Sequence, residues 1–285
     1  MIISVASGKG GTGKTTVSTA LALSLPGPVQ LLDCDAEEPN AHIFIKPDIK
    51  RTEDVFIYVP RIDEDICTLC GRCAEVCAYN AIAVLPGSGR TAGRALVFRE
   101  LCHGCGSCRY FCPENAIKEE KRKVGVVEVG YRGELEFVHG RMNIGEAMSP
   151  PVIRAVKHKL NKGRTVIVDA PPGTTCPVIT AIHGSDACVL VTEPTPFGLH
   201  DLRLTVEVIK KMDIPFGVVI NRHGLGDERT EEYCAQEGIP VLMKIPFSKE
   251  IAAEYSRGIS IVEAFPEYRD EFAGLVKKLE EEMSR

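Results

Sequence analysis

A short apolar run, Ile2 to Ala6, breaks into Ser7-Gly8-Lys9-Gly10-Gly11-Thr12-Gly13-Lys14-Thr15-Thr16 and passes straight into a segment of helical periodicity. A strand that turns through glycines into a helix commits the chain to a strand–loop–helix unit, and so to α/β layering. Later runs at 28–32, 165–168, 187–191, 216–220 and 240–243 are nearly continuous hydrophobics, as parallel strands buried on both faces require. Helical patterns at 14–24, 150–160, 199–212 and 229–237 alternate with them. The expected fold class is a doubly wound, mostly parallel α/β sheet. Near the C-terminus Tyr268, Phe272, Leu275, Val276, Leu279 and Met283 recur at steps of three and four, a stripe read as core packing.

The spacing Gly8-x4-Gly13-Lys14-Thr15 is that of a phosphate-binding loop. Backbone amides from Gly8 through Gly10, Gly11, Thr12, Gly13 and Thr16 cradle phosphates, Lys14 reaches the β- and γ-phosphates, and the Thr15 hydroxyl ligates magnesium. A rival exists, because Gly8-x-Gly10-x-x-Gly13 is also a dinucleotide fingerprint and Asp33 follows 20 residues past Gly13. Lys14-Thr15 would be wasted on a dinucleotide, however, and a second strand ends in Asp169, placed to act as the acid beside magnesium.

Between about 61 and 119 the alternation stops and a cysteine-rich segment repeats itself at an offset of 35 residues: "ICTLCGRCAEVCAYNAIAV" against "LCHGCGSCRYFCPENAIKE". Cys67-x2-Cys70-x2-Cys73-x3-Cys77 and Cys102-x2-Cys105-x2-Cys108-x3-Cys112-Pro113 each match the bacterial ferredoxin run, in which the fourth cysteine serves the other cluster. One 4Fe–4S centre is therefore assigned to Cys67, Cys70, Cys73 and Cys112, the other to Cys102, Cys105, Cys108 and Cys77. Ala78 stands where proline usually follows the fourth cysteine. The expected domains are 1–60 and 120–285 of a P-loop nucleotide-binding domain, interrupted at 61–119 by an α+β bacterial-type ferredoxin domain, with 125–138 a hairpin leading back. Cys34, Cys188 and Cys234 read as small buried hydrophobes. His103 either tunes a cluster or is an exposed loop histidine.

Lys9, just before the double glycine in "KGGTGKTT", resembles the deviant Walker A lysine of the MinD, ParA and nitrogenase iron protein class of P-loop ATPases, and the whole chain resembles members of that superfamily carrying an inserted ferredoxin domain. The resemblance implies ATP/ADP and Mg as ligands, and a nucleotide-sandwich homodimer in which Lys9 reaches the partner's phosphates. It implies further that Asp35 orients or activates the attacking water, Asp169 lies on the magnesium side, Gly173 near the γ-phosphate, and Asn221 at adenine. Asp33 and Asn40 would support the nucleotide or the dimer contact. A strand-end cap competes for Asp33, and a turn residue for Asn40 and Asn221. Cys176 falls where the nitrogenase iron protein holds a bridging cluster, yet no second cysteine offers itself as its partner.

Net charge is −5, and no basic block exceeds Lys121-Arg122-Lys123, so composition offers no footprint for nucleic acid or an anionic membrane. With no positive n-region or membrane-length apolar run, the expectation is a cytoplasmic protein, whose cysteines serve metal rather than disulfides. Three functions follow in order: an ATP-gated electron-transfer protein with a redox partner, a carrier or scaffold for metallocofactor assembly, and a MinD-like regulatory or positioning ATPase.

Overall fold

The computed structural model describes residues 1–88 and 92–283, the side chains of 282 and 283 excepted, so the Met283 side chain of the expected stripe lies outside the described residues. Its strands are β1 (Ile2–Ala6), β2 (Val29–Asp33), β3 (Asp48–Ile62), β4 (Ile82–Leu85), β5 (Arg94–Val97), β6 (Ile117–Arg132), β7 (Leu135–Met142), β8 (Thr165–Asp169), β9 (Ala187–Thr192), β10 (Phe216–His223) and β11 (Val241–Pro246). The helices are α1 (Lys14–Ser24), α2 (Ala41–Ile45), α3 (Arg72–Glu75), α4 (Ser107–Tyr110), α5 (Pro150–Lys157), α6 (Cys176–Ile182), α7 (Pro196–Lys211), α8 (Arg229–Gln236), α9 (Lys249–Ser256), α10 (Ile261–Ala264) and α11 (Tyr268–Met283). Among the described residues no helix is long and apolar enough to cross a membrane.

Nine strands form one sheet in the order β11-β10-β9-β1-β8-β2-β7-β6-β3, while β4 and β5 pair separately and antiparallel. β1, β2, β8 and β9 are hydrophobic nearly throughout and buried on both faces, which is why they hold the middle of the sheet in parallel register. That register puts Val5 and Asp33 each level with Asp169, so two acids emerge side by side at the carboxyl ends of β2 and β8. Crevices at such ends are where open α/β sheets bind ligands.

The C-terminal stripe is core: Phe272, Leu275 and Leu279 are all 0% exposed, on a helix packed against α1. Phe272→Ala is expected to cost about 3 kcal/mol of stability in denaturant unfolding. A loss below about 1 kcal/mol would mean that the stripe does not anchor α1.

By contact, the chain divides into two compact units. The first comprises Met1–Glu53, Val126–Arg141 and Val152–Arg285; the second comprises Asp54–Gly125 and Met142–Pro151. The expected boundaries at 61 and 119 fall inside β3 and β6. β3 itself was not anticipated. Its charged start, Asp48, Lys50, Arg51 and Glu53, masks strand periodicity, and Glu53 is ion-paired to Arg51 at 2.9 Å and Lys159 at 2.5 Å. The hairpin expected at 125–138 is present as β6 and β7, turning at Gly133, whose φ of 57° suits glycine.

Within the second unit the sequence repeat is also a backbone repeat. Leu69, Gly71 and Asn80 have positive φ, and so do Gly104, Gly106 and Asn115, their counterparts 35 residues on. Phe98 N donates to Ala81 O and Asp63 N to Ala116 O, both at 2.8 Å and again related by that offset. Leu69 occupies a left-handed position that its twin fills with glycine, at a cost of roughly 1–2 kcal/mol.

Candidate functional site

The loop between β1 and α1 is built for close approach. A Cβ on Gly8 would sit 2.4 Å from Asp201 O, and one on Gly13 2.3 Å from Asn221 Nδ2, while Gly13 also holds φ at 98°. Asn221 Nδ2 donates to Thr12 O at 2.8 Å, and Gly173 N donates to Ser7 O at 2.9 Å. Asn221 and Gly173, distant in sequence, therefore brace the glycine loop directly. At α1 no side chain caps the N-terminus and no acid stands in the first turn, leaving its amides open to an anion. Lys14 and Thr15 are buried at 6% and 8% exposure beneath it.

Behind the loop lie three carboxylates. Asp33 spends both oxygens on backbone amides at 3.1 Å, those of Asp35 and Ala41, so it acts as a strand-end cap that shapes the turn carrying Asp35. Burial, with the neighbouring Asp169 charge, raises its carboxyl well above the ordinary range. Burial also raises Asp169, opposed by Lys14 and then by the neighbouring Thr15 and Ser18 hydroxyls, though among the described residues neither buried oxygen has a partner in full hydrogen-bond geometry. The Ser18 hydroxyl donates to Thr15 O at 3.3 Å. Asp35 is pushed up to about 6 by burial, with Lys14 pulling the other way and Asp169 adding to the rise. Asn40 precedes α2 without capping it, and its Oδ1 is buried and unpartnered.

Lys9 does not lie free. Its ammonium is paired with Glu193, which follows β9 and is 7% exposed, and Arg222 Nη1 holds the other carboxylate oxygen at 3.0 Å. Sequence reasoning missed Glu193 and Arg222. The available signal was an acid directly after the five apolar residues and Thr192 of β9, at the strand end where sites form.

In the second unit the cysteines sort into two cavities. Cys67, Cys70, Cys73 and Cys112 line one of about 350 Å³, with Ile62 and Ile117; Cys77, Cys102, Cys105 and Cys108 line one of about 420 Å³, with Tyr58 and Ile82. Each takes three thiols from one repeat and the fourth from the other. Ala81 N and Gly104 N point at Cys77 Sγ and Cys102 Sγ at 3.3 and 3.4 Å. Burial pushes the Cys108 thiol up to about 11, whereas Ser107, 3.4 Å away, draws Cys105 below its ordinary range. Exposed His103 stacks on Tyr79 with centroids 3.5 Å apart, at the rim of the larger cavity. Cys34, Cys188 and Cys234 are buried, as read; Cys176 is exposed at the start of α6.

The fold and loop together are those of a P-loop nucleotide-binding protein of the MinD and ParA type. Residues 3–261 match the family described as the CobQ/CobB/MinD/ParA nucleotide binding domain, and the chain belongs to it. An uncharacterised protein of Methanocaldococcus jannaschii is 30% identical over 275 residues, spanning 95% of this chain and 93% of its own. The iron-sulfur cluster carrier protein of Pyrococcus horikoshii is 28% identical over 133 residues, 40% of this chain and 45% of its own. Among solved structures, the septum site-determining protein MinD with Mg-ADP from Pyrococcus horikoshii superposes with a TM-score of 0.56 at 21% identity, over 98% of this chain and 95% of that one.

Proposed function

We propose that this protein is an ATP-hydrolysing homodimeric switch coupled to electron transfer through two 4Fe–4S clusters. The observation that carries the reading is the crossed sorting of eight cysteines into two four-thiol cavities, in a chain that also has the phosphate loop. Cys67, Cys70, Cys73 and Cys112 would hold one cluster, and Cys77, Cys102, Cys105 and Cys108 the other. Such clusters supply one-electron transfer. The chain's own part is to keep each quartet in an apolar wall and, at Cys77 and Cys102, to aim amides at the sulfurs, and those amides favour the reduced, more negative state.

In the first unit the open amides of α1 and Lys14 bind the phosphates. Thr15 and Asp169 fit magnesium, since among the described residues neither buried oxygen of Asp169 has a partner in full hydrogen-bond geometry. Magnesium there would neutralise charge developing on the phosphates. Asp35 orients water and accepts its proton, Gly173 lies near the γ-phosphate, Asn221 meets adenine, and Lys9 supplies positive charge to the partner subunit's phosphates. Asp33 shapes the Asp35 turn and Asn40 supports the dimer contact.

Anaerobic EPR of dithionite-reduced protein with ADP, Mg-ATP and a non-hydrolysable analogue tests the reading, beside iron analysis. About eight irons per chain are expected, with signals or potentials that move with the γ-phosphate. Signals indifferent to nucleotide would refute the coupling. A second reading, a carrier of iron–sulfur clusters as cargo, is favoured by the partial likeness to the Pyrococcus carrier protein. It predicts that an apo-ferredoxin acceptor gains clusters from the protein at the rate the protein loses them, whereas the first reading predicts retention.

A further inference from the structure

Glu193 sits where a buried carboxylate is costly, with its side chain 10% exposed, and it is shared by two cations. Lys9, 30% exposed, holds Oε1; Arg222 holds Oε2 at 3.0 Å. Removing the only partner of such a group would leave an uncompensated buried charge, but removing one of two need not. Thr195 supplies the remaining element. Its Oγ1 donates to Glu193 Oε1 over 3.5 Å while accepting from Gly198 N at 3.0 Å as the cap of α7, so this long bond can shorten onto the oxygen that Lys9 leaves. Each oxygen of Glu193 thus keeps a donor after Lys9 departs.

We infer that Glu193 is a positioning residue for Lys9: it holds the lysine within its own chain, and Arg222 and Thr195 keep the carboxylate satisfied when Lys9 is released to the second copy of the chain. This rests on the proposal that Lys9 acts in trans. The consequence is a threshold. Dimerisation on nucleotide must break this pair once in each subunit, so the phosphates of a bound nucleotide have to outcompete Glu193 for the ammonium.

The test is anaerobic sedimentation velocity of the full chain across protein concentration with Mg and a non-hydrolysable ATP analogue. Glu193→Gln removes the charge that retains Lys9, and the dimer Kd is expected to fall by about tenfold or more. Arg222→Gln leaves Lys9 as the sole cation on Glu193 and is expected to raise it. Lys9→Ala should not dimerise, and Lys9→Ala/Glu193→Gln should match Lys9→Ala alone, because Glu193 acts only through Lys9. A folded Glu193→Gln protein that dimerises no more tightly than wild type, while Lys9→Ala still fails, overturns the holding role alone. Wild-type dimerisation by Lys9→Ala overturns the trans action as well. Should Glu193→Gln not fold, Arg222→Gln with an unchanged or lower dimer Kd is the overturning result.

Discussion

Asp35→Asn is expected to lower ATP hydrolysis by about 10²- to 10⁴-fold and at the same time to raise the stability of nucleotide-free, magnesium-free protein. The carboxyl is raised from 3.8 to about 6 chiefly by burial, so the folded state disfavours its ionised form. A raised folded value means that the contribution to stability is fully present below the unfolded value near 4 and is lost as pH rises through about 6. Above that window the ionised group costs the fold about 1–3 kcal/mol, and asparagine removes the cost. The measurement is chemical denaturation with EDTA at several pH values. Wild type should lose stability between about pH 4 and 6, and Asp35→Asn should flatten part of that slope, the remainder belonging to Asp33 and Asp169, which burial raises too. An Asp35→Asn protein less stable than wild type at pH 7.5 would show that the turn, not the charge, is what Asp35 serves.

Cys112→Ala is expected to empty the centre of the other repeat rather than its own. Cys112 shares its cavity with Cys67, Cys70 and Cys73, while its sequence neighbours Cys102, Cys105 and Cys108 line the second. Iron should fall from about eight to about four per chain. Pairing the substitution with Cys67→Ala should lose nothing further, whereas pairing it with Cys102→Ala should remove nearly all iron. If Cys112→Ala and Cys102→Ala fail to add, the thiols sort by repeat and the crossed arrangement is wrong.

Much of this was legible in the chain. Strands whose residues are apolar on both faces announce a parallel sheet, because only burial on both sides makes that pattern favourable; β1, β8 and β9 are such strands. The duplicated segment is equally plain, and its glycine and asparagine positions coincide with left-handed backbone in both copies. Leu69 broke that pattern, since a leucine gives no sign of a left-handed residue.

By itself, then, the sequence determined the layering, the phosphate loop and the spacing of eight cysteines, all of which follow from local period, glycine conformation and short-range geometry. Only the tertiary structure decided that Asp33 is consumed by two backbone amides, that β3 extends the sheet through charged residues, and that Lys9 is held by a glutamate 184 positions away. The physical reason is that an ion pair or a cap is a property of distance in space. A charged side chain carries in sequence no mark of whether its partner is a nucleotide, water or another strand's end.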